Sequence, residues 1–226
     1  MIVSDAVRSR RSIRAFLSRP VERHTIEAIL DAARFAPSGS NIQPWQVHVV
    51  TGAARDALAA RASEAMRNGT QGSRDWNYYG DVIPEPYLAR RRNCGWGLYG
   101  HLGVQKGDRT ASGEHALRNF SFFGAPVGLF FFIDRKLALG SWVDYGIFLG
   151  EFMLLAREHG LATCAQAAWL QAHEIVRAQL GVGPEHALVC GMSMGYADAD
   201  AHVNAYQPAR LAITDFVQFH DLASAP

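Results

Sequence analysis

A nine-residue string, Pro37-Ser38-Gly39-Ser40-Asn41-Ile42-Gln43-Pro44-Trp45, separates a helical stripe from an alternating, valine-rich run. Its two prolines deny it a helix interior or a central strand, because each removes a backbone donor and fixes φ. On the N-terminal side Ile26, Ile29, Leu30 and Ala33 fall on one face of a helix over 21–36, which Pro37 ends. On the C-terminal side residues 46–51 alternate and predict a strand, and residues 53–66 return to helical composition. A chain that begins helix, tight loop, strand, helix must pack helices on a sheet.

Farther on, residues 67–113 crowd Gly, Arg, Asn and aromatic residues together without sustained periodicity, and read as an insert or lid with a functional purpose. Order returns with a helix over 114–122 and a strand over 127–133. A helix follows over 144–159, with Phe148, Phe152 and Leu155 on one face, Tyr145, Leu149 and Ala156 beside them, and Gly160 as its stop. Strands over 161–164 and 187–192 flank a helix over 171–180. The expected fold class is α+β or α/β without repeats, and 226 residues, 49% of them hydrophobic, suit one domain over 1–226.

Charge and composition narrow the function. Twenty-two Lys+Arg against 21 Asp+Glu leave a net charge of +1, which gives no general attraction to nucleic acid or to an acidic membrane. The apolar run 122–133 holds Gly124, Pro126 and Gly128 and is shorter than the roughly 20 residues that span a bilayer. The first residues lack a secretory pattern, and Cys94, Cys164 and Cys190 form neither a CxxC nor an even framework, so a cytoplasmic location is expected. The nine histidines show no HExxH or other close ligand spacing, and no metal is expected.

Residues 10–14 read Arg10-Arg11-Ser12-Ile13-Arg14, which brings forked and hydroxyl donors to one place, the chemistry a phosphate needs. A solvated helix end or a nucleic-acid patch would share that composition. Together with Pro37 to Trp45, however, the segment resembles the N-terminal signature of the flavin mononucleotide (FMN)-dependent nitroreductase family. The resemblance extends to Gly160 through Trp169 and to Tyr206-Gln207-Pro208-Ala209-Arg210, and covers most of the chain outside 67–113.

That resemblance implies a nitroreductase-like α+β fold, with a central mixed, mainly antiparallel sheet flanked by helices, in an intertwined homodimer that shares its active sites. It implies one FMN per subunit and NADPH or NADH as reductant. By the match, Arg10, Arg11, Ser12 and Arg210 serve the phosphate and ribityl end. Arg14 lies near flavin N1 and O2, where a guanidinium stabilises the negative charge of the reduced ring. Ala165, Gln166 and Ala167 run along the ring. Pro37, Ser38, Gly39 and Asn41 contact the flavin of the opposite subunit, and Asn119, or its neighbour Arg118, supplies another polar contact. No side chain is implied as a nucleophile or obligatory acid, since the flavin carries the chemistry. The implied acceptor is a small aromatic compound, foremost a nitroaromatic such as nitrobenzoate. Other flavin reactions, namely enone or quinone reduction, reductive dehalogenation and metabolite oxidation, and a non-catalytic FMN-binding module, are the alternatives.

Three strings invite other readings. Gly95-Trp96-Gly97-Leu98-Tyr99-Gly100 matches a dinucleotide fingerprint, but Arg90-Arg91-Arg92-Asn93 before it makes no buried strand. Gly191-Met192-Ser193-Met194-Gly195 matches the nucleophile elbow of serine hydrolases, but no helix follows it; Ser193 is expected in a core strand. The run Arg90 to Arg92 is either solvated or an anion contact for a carboxylated substrate.

Overall fold

The computed structural model describes residues 1–69 and 72–220. Strands β1 (Gln46–Thr51), β2 (Val127–Asp134), β3 (Ala162–Gln166) and β4 (His186–Gly195) form one sheet in the order β1-β2-β4-β3. Every strand pair is antiparallel. Among the described residues the parallel component of the expected mixed sheet is confined to one bridge, Ser12 to Thr163, which lays the N-terminal segment along β3. The helices are α1 (Val3–Ser9), α2 (Arg23–Ala33), α3 (Gly52–Arg67), α4 (Tyr87–His101), α5 (Arg109–Leu117), α6 (Leu139–Glu158) and α7 (His173–Leu180).

The sheet is the middle of three layers. Along β2, Phe130 and Phe132 pack with Leu58, Phe122, Trp169 and Val176, while Leu129, Phe131 and Ile133 pack with Ile29, Tyr145, Phe148 and Phe152. Both faces are covered, which is why this strand reads as a continuous apolar run and not an alternation. Helix α6, 20 residues long, is among the described residues long and apolar enough to cross a membrane, with a mean hydropathy of 1.2 over an 18-residue window. Its inward face is a core face: Phe131 meets Phe148 and Phe152 edge-on at 6.3 and 5.9 Å.

Three departures from the sequence expectation have physical causes. Helix α6 starts at Leu139, not 144, because Ala138 at its N-cap has no capping side chain to announce it. It stops where expected, with Gly160 left-handed at φ 71°. Strand β4 runs on to Gly195, since Met194 is paired on both edges, to Val127 of β2 and Thr163 of β3. The segment 67–113 holds α4 and the start of α5 where irregular chain was expected; the helix expected over 114–122 begins earlier, at Arg109, and gives way after Leu117 to 3-10 turns over Arg118–Gly124, in which Phe122 and Phe123 are left-handed. No residue of α4 is buried, so it has no apolar stripe to read.

The start of that segment is tied to the core where β4 outruns β3. Asp75 accepts the Leu188 N–H at 2.6 Å, and Trp76 Nε1 donates to the Leu188 carbonyl at 2.8 Å, so two side chains complete the ladder beyond β3. The Asp75 carboxylate is 1% exposed and is met by Arg177 at 3.0 and 3.1 Å, by Arg135, and by His173 Nδ1 at 3.6 Å. Burial raises its pKa, but the Leu188 N–H, Arg135, Arg177 and His173 together hold it below the ordinary 3.8.

Asp75→Ala removes the buried carboxylate shared by Arg177 and Arg135 and leaves the Leu188 N–H unbonded, and is expected to cost about 3 kcal/mol of unfolding free energy, measured by urea denaturation. Because the folded carboxyl is depressed, its contribution is complete above the unfolded value and fades as pH falls through the folded one. The acid-induced loss of stability below about pH 4 should therefore shrink in the variant.

Candidate functional site

Residues 10–17 belong to no helix or strand longer than a bridge, yet both edges of their backbone are paired. Ile13 N donates to Thr163 O of β3 at 3.1 Å, and Leu17 N donates to Tyr196 O, just past β4, at 2.9 Å. Arg14 N donates to Asn204 Oδ1 at 2.8 Å, and Asn204 Nδ2 returns a bond to Ala15 O at 2.8 Å. Ile13, Ala15 and Phe16 are buried, so the intervening polar side chains are left at the surface.

Those side chains converge beside β3. Burial pushes the Cys164 thiol up, and Arg14, the Ser12 hydroxyl and Arg10 oppose that shift; Ser12 bridges the adjoining Thr163, and Arg14 Nη1 bonds Ser12 O at 3.2 Å. Arg10 is half-buried and its pKa is lowered, first by burial and then by the neighbouring Arg210. Arg210 spends its Nη1 on the carbonyls of Pro208 and Ala209, at 2.9 and 3.3 Å. Among the described residues no carboxylate pairs with Arg10, Arg14 or Arg210. Two guanidinium groups held together without an acid are the donor set of a phosphate ester, and the FMN phosphate fits them. Arg11 turns elsewhere: its Nη1 donates to Asn204 O at 3.2 Å.

Of the residues expected along the ring, Ala165 is exposed and Ala167 half-buried, which leaves β3 open to a flat ligand. Gln166 is 2% exposed, and its side chain is fully engaged. Its Oε1 accepts from Ser193 Oγ at 2.7 Å, and its Nε2 donates to Asn119 O at 2.8 Å and Oδ1 at 3.3 Å. Gln166 therefore acts as a strut, tying β4 to the turn after α5. Ser193 lies fully buried inside β4 as a donor in that strut, which removes the nucleophile reading. Asn119 Nδ2 bonds Ala116 O at 2.9 Å, and Arg118 is exposed.

The loop from Pro37 to Trp45 stands apart from this cluster, with no hydrogen bond or ion pair to Arg10, Ser12 or Arg14 among the described residues. Ser40, Asn41 and Gln43 are left-handed, at φ 50°, 57° and 52°. Such strain persists where surrounding contacts impose it. Here Gly39 N donates to Asp144 Oδ2 on α6 at 3.1 Å, Gln43 N donates to Ser38 Oγ at 3.0 Å, and Trp45 stacks on Phe148 at 4.9 Å. Pro37, Gly39 and Asn41 are exposed in the single chain and Ser38 half-buried.

Helix α4 contains the whole GxGxxG string, which excludes a strand-to-helix phosphate turn there. Gly97 has a different use. A Cβ at that position would lie 2.9 Å from Tyr206 Cε2, so only glycine lets Tyr206 cross the helix and bond Cys94 O at 3.0 Å. One turn on, His101 stacks on His202 at 4.0 Å and bonds its carbonyl at 2.7 Å. Between α4 and residues 206–216 runs a groove of about 660 Å³ with Arg90 and Arg210 in its wall. Neither Asn204 nor His115 stood out in the sequence; no spacing rule marks a lone amide or imidazole.

The profile of the family described as "Nitroreductase family" matches residues 7–196. The chain is 40% identical over 213 residues to a 4-nitrobenzoate reductase of Pseudomonas putida, covering 94% of this chain and 93% of that one. It is 37% identical over 218 residues to a chloronitrobenzene nitroreductase of Comamonas testosteroni, covering 96% of both. Its fold overlays the crystal structure of the FMN and NADPH-dependent nitroreductase NfnB from Sphigopyxis sp. strain HMH with a TM-score of 0.93 at 36% identity, over 98% of this chain and 100% of that one.

Beside the cluster, His115 of α5 is half-buried, with Tyr99 and Phe123 rings at 6.1 and 6.2 Å. Burial, then Arg118 and Arg14, push its pKa from 6.5 down to about 4. Between those two values the unfolded chain binds the extra proton, so stability should rise with pH across that window. Imidazole NMR shifts should place the titration near 4, and His115→Phe should flatten that part of the stability profile.

Proposed function

The chain belongs to the nitroreductase family, and from that premise we propose that it is an FMN-dependent oxidoreductase that uses NAD(P)H to reduce a small nitroaromatic compound. The observation that carries the reading is the lay of residues 10–14 along β3, where Ser12 bridges Thr163, Ile13 bonds Thr163 O and Arg14 Nη1 bonds Ser12 O, with no acid among the described residues paired to Arg10, Arg14 or Arg210. Bound FMN supplies hydride acceptance and donation at N5. The chain's own residues bind and bias. Arg10, Ser12 and Arg210 hold the phosphate end, with Arg11 close behind and its guanidinium turned to Asn204. Arg14 offers positive charge to the pyrimidine end, and Ala165 and Ala167 keep the approach to the ring clear. Gln166 supports that surface from below through Ser193 and Asn119.

The pairing of two chains is part of the same proposal. Leu139, Val143 and Ile147 form an exposed apolar stripe on α6, and Leu211, Ile213, Phe216 and Phe219 leave a tail of apolar side chains in solvent. A groove of about 800 Å³ beside the open edge of β1, lined by Val49, Ile26 and Leu30 among others, suits such a tail from a second copy. The held, outward loop Pro37 to Asn41 would then serve the other copy's flavin, consistent with its separation from the Arg10 cluster. The segment 67–113, apart from residues 70 and 71, which lie outside the described residues, forms a covering element near the site through α4.

Acceptor choice is assigned to that element. Arg90 stacks on Tyr87 at 4.7 Å and Arg91 on Tyr79 at 4.5 Å, and among the described residues no acid pairs with Arg90, Arg91 or Arg92. A benzoate-type acceptor fits a wall with a free guanidinium and aromatic faces.

Anaerobic addition of NADPH to the FMN-loaded protein should bleach the flavin absorbance, and a nitroarene should restore it; the same sample should sediment at the mass of two chains. Failure to take up FMN sinks the cofactor reading. Bleaching without recovery by any nitroarene favours another flavin reaction, and no bleaching at all favours a binding module. Arg90→Ala should raise KM for 4-nitrobenzoate about tenfold, the worth of one charge-assisted hydrogen bond, and leave KM for nitrobenzene unchanged.

A further inference from the structure

Asn204 lies two residues before the Tyr206 to Arg210 string, in a single 3-10 turn over His202–Ala205, and is 7% exposed. Its carboxamide reaches back some 190 residues. Oδ1 accepts from Arg14 N at 2.8 Å, while Nδ2 donates to Ala15 O and to Asp198 O, both at 2.8 Å. Its own carbonyl accepts from Arg11 Nη1 at 3.2 Å. Both amide hydrogens are used, and the side chain satisfies the N–H of one residue and the C=O of the next. Without it, the backbone at Arg14 and Ala15 would be buried against Ile13 and Phe16 with that edge unpaired, a costly state that the segment would escape by moving.

The consequence falls on Arg14 in particular. Its neighbour Ile13 is held by Thr163 O on the β3 side, and Arg14 itself by Asn204 on the other, so the base of its side chain is fixed from two directions. The guanidinium is steadied by a bond from Nη1 to Ser12 O at 3.2 Å and lies close enough to Cys164, His115 and Tyr206 to act on each. A long, flexible cation biases a ligand only if its origin is set before the ligand arrives.

We infer that Asn204 is a positioning residue: its carboxamide fixes the backbone of Arg14 and thereby aims that guanidinium at the pyrimidine end of the flavin. The inference rests on the FMN reading above. It also gives the turn a second task, because His202 and Tyr206 on either side of Asn204 are the residues on which α4 docks. The hold on Arg14 and the seat of the covering helix are thus one structural element.

The test uses the full-length protein with FMN, in a double-mutant cycle of Asn204→Ala and Arg14→Ala. Alone, Asn204→Ala should raise the Kd for FMN about tenfold or more, as expected for the loss of hydrogen bonds that order a charged ligand group, and should lower the midpoint potential of the bound flavin. In the Arg14→Ala background the same substitution should leave the potential where Arg14→Ala put it. Asn204→Ser, which keeps a hydroxyl but is too short to span both backbone groups, provides the same cycle if the alanine variant does not fold. An unchanged potential in either Asn204 variant with flavin bound overturns the inference. So does a shift of equal size with and without Arg14, which would mark a general structural role. A wild-type protein that takes up no FMN overturns the cofactor reading and this inference together, whereas a fault in the positioning role alone leaves wild-type loading intact.

Discussion

The site depends on a backbone constraint. Residues 10–17 carry the cationic side chains, yet they lie in neither a helix nor a strand, so no repeating ladder holds them. What holds them is a set of single bonds on two edges, Ile13 to Thr163, Arg14 and Ala15 to Asn204, and Leu17 to Tyr196. The four bonds come from three distant places in the chain. The segment therefore reaches its shape only when β3, the end of β4 and the 202–205 turn are all in place. Local sequence could not enforce this, since three arginines in five residues repel one another and prefer water.

The layers behind it supply the rigidity those bonds need. Strand β2 is buried on both faces, and β4 pairs along its length with β2 and over its second half with β3. Several polar groups inside this core are matched. Ser193, Gln166 and Asn119 form one chain of bonds from β4 to the turn after α5, and Asp75 closes the ladder that β3 leaves open. A half-matched network in the same place would destabilise the sheet on which the candidate ligand surface rests.

Much of this was legible in the sequence, and the gaps share a cause. Strands β1 and β2, helices α2, α3 and α7, and the Gly160 stop follow from periodicity and breakers, which are local signals. Helix α4 was not legible because none of its residues is buried in the chain, so burial imposes no stripe. The start of α6 was not legible because its cap position is an alanine. In the site, the donors Arg10, Ser12 and Arg14 were visible as chemistry. Asn204, whose side chain bonds the backbone of Arg14 and Ala15, was not, because its contacts lie some 190 residues away along the chain. The sequence also placed Gln166 against the ligand, whereas its amide is consumed by Ser193 and Asn119; a motif names a position and does not say which way its side chain is spent.

The charge distribution leads one step further. With a net charge of +1 the chain has nearly as many acids as bases, and it pairs several of them, as at Asp75 with Arg135 and Arg177. Placing Arg10 beside Arg210, half-buried and without an acid, is therefore a local choice in a chain that has acids available. Like charges held together lower each other's affinity for protons and weaken the fold until an anion arrives. The same pair that would bind the phosphate of the proposed cofactor thus makes the unliganded arrangement the less stable one. On the proposed function, ligand binding would be coupled to the ordering of residues 10–17 through Arg10, and the bonds from Asn204 to Arg14 and Ala15 would set how much of that order exists beforehand.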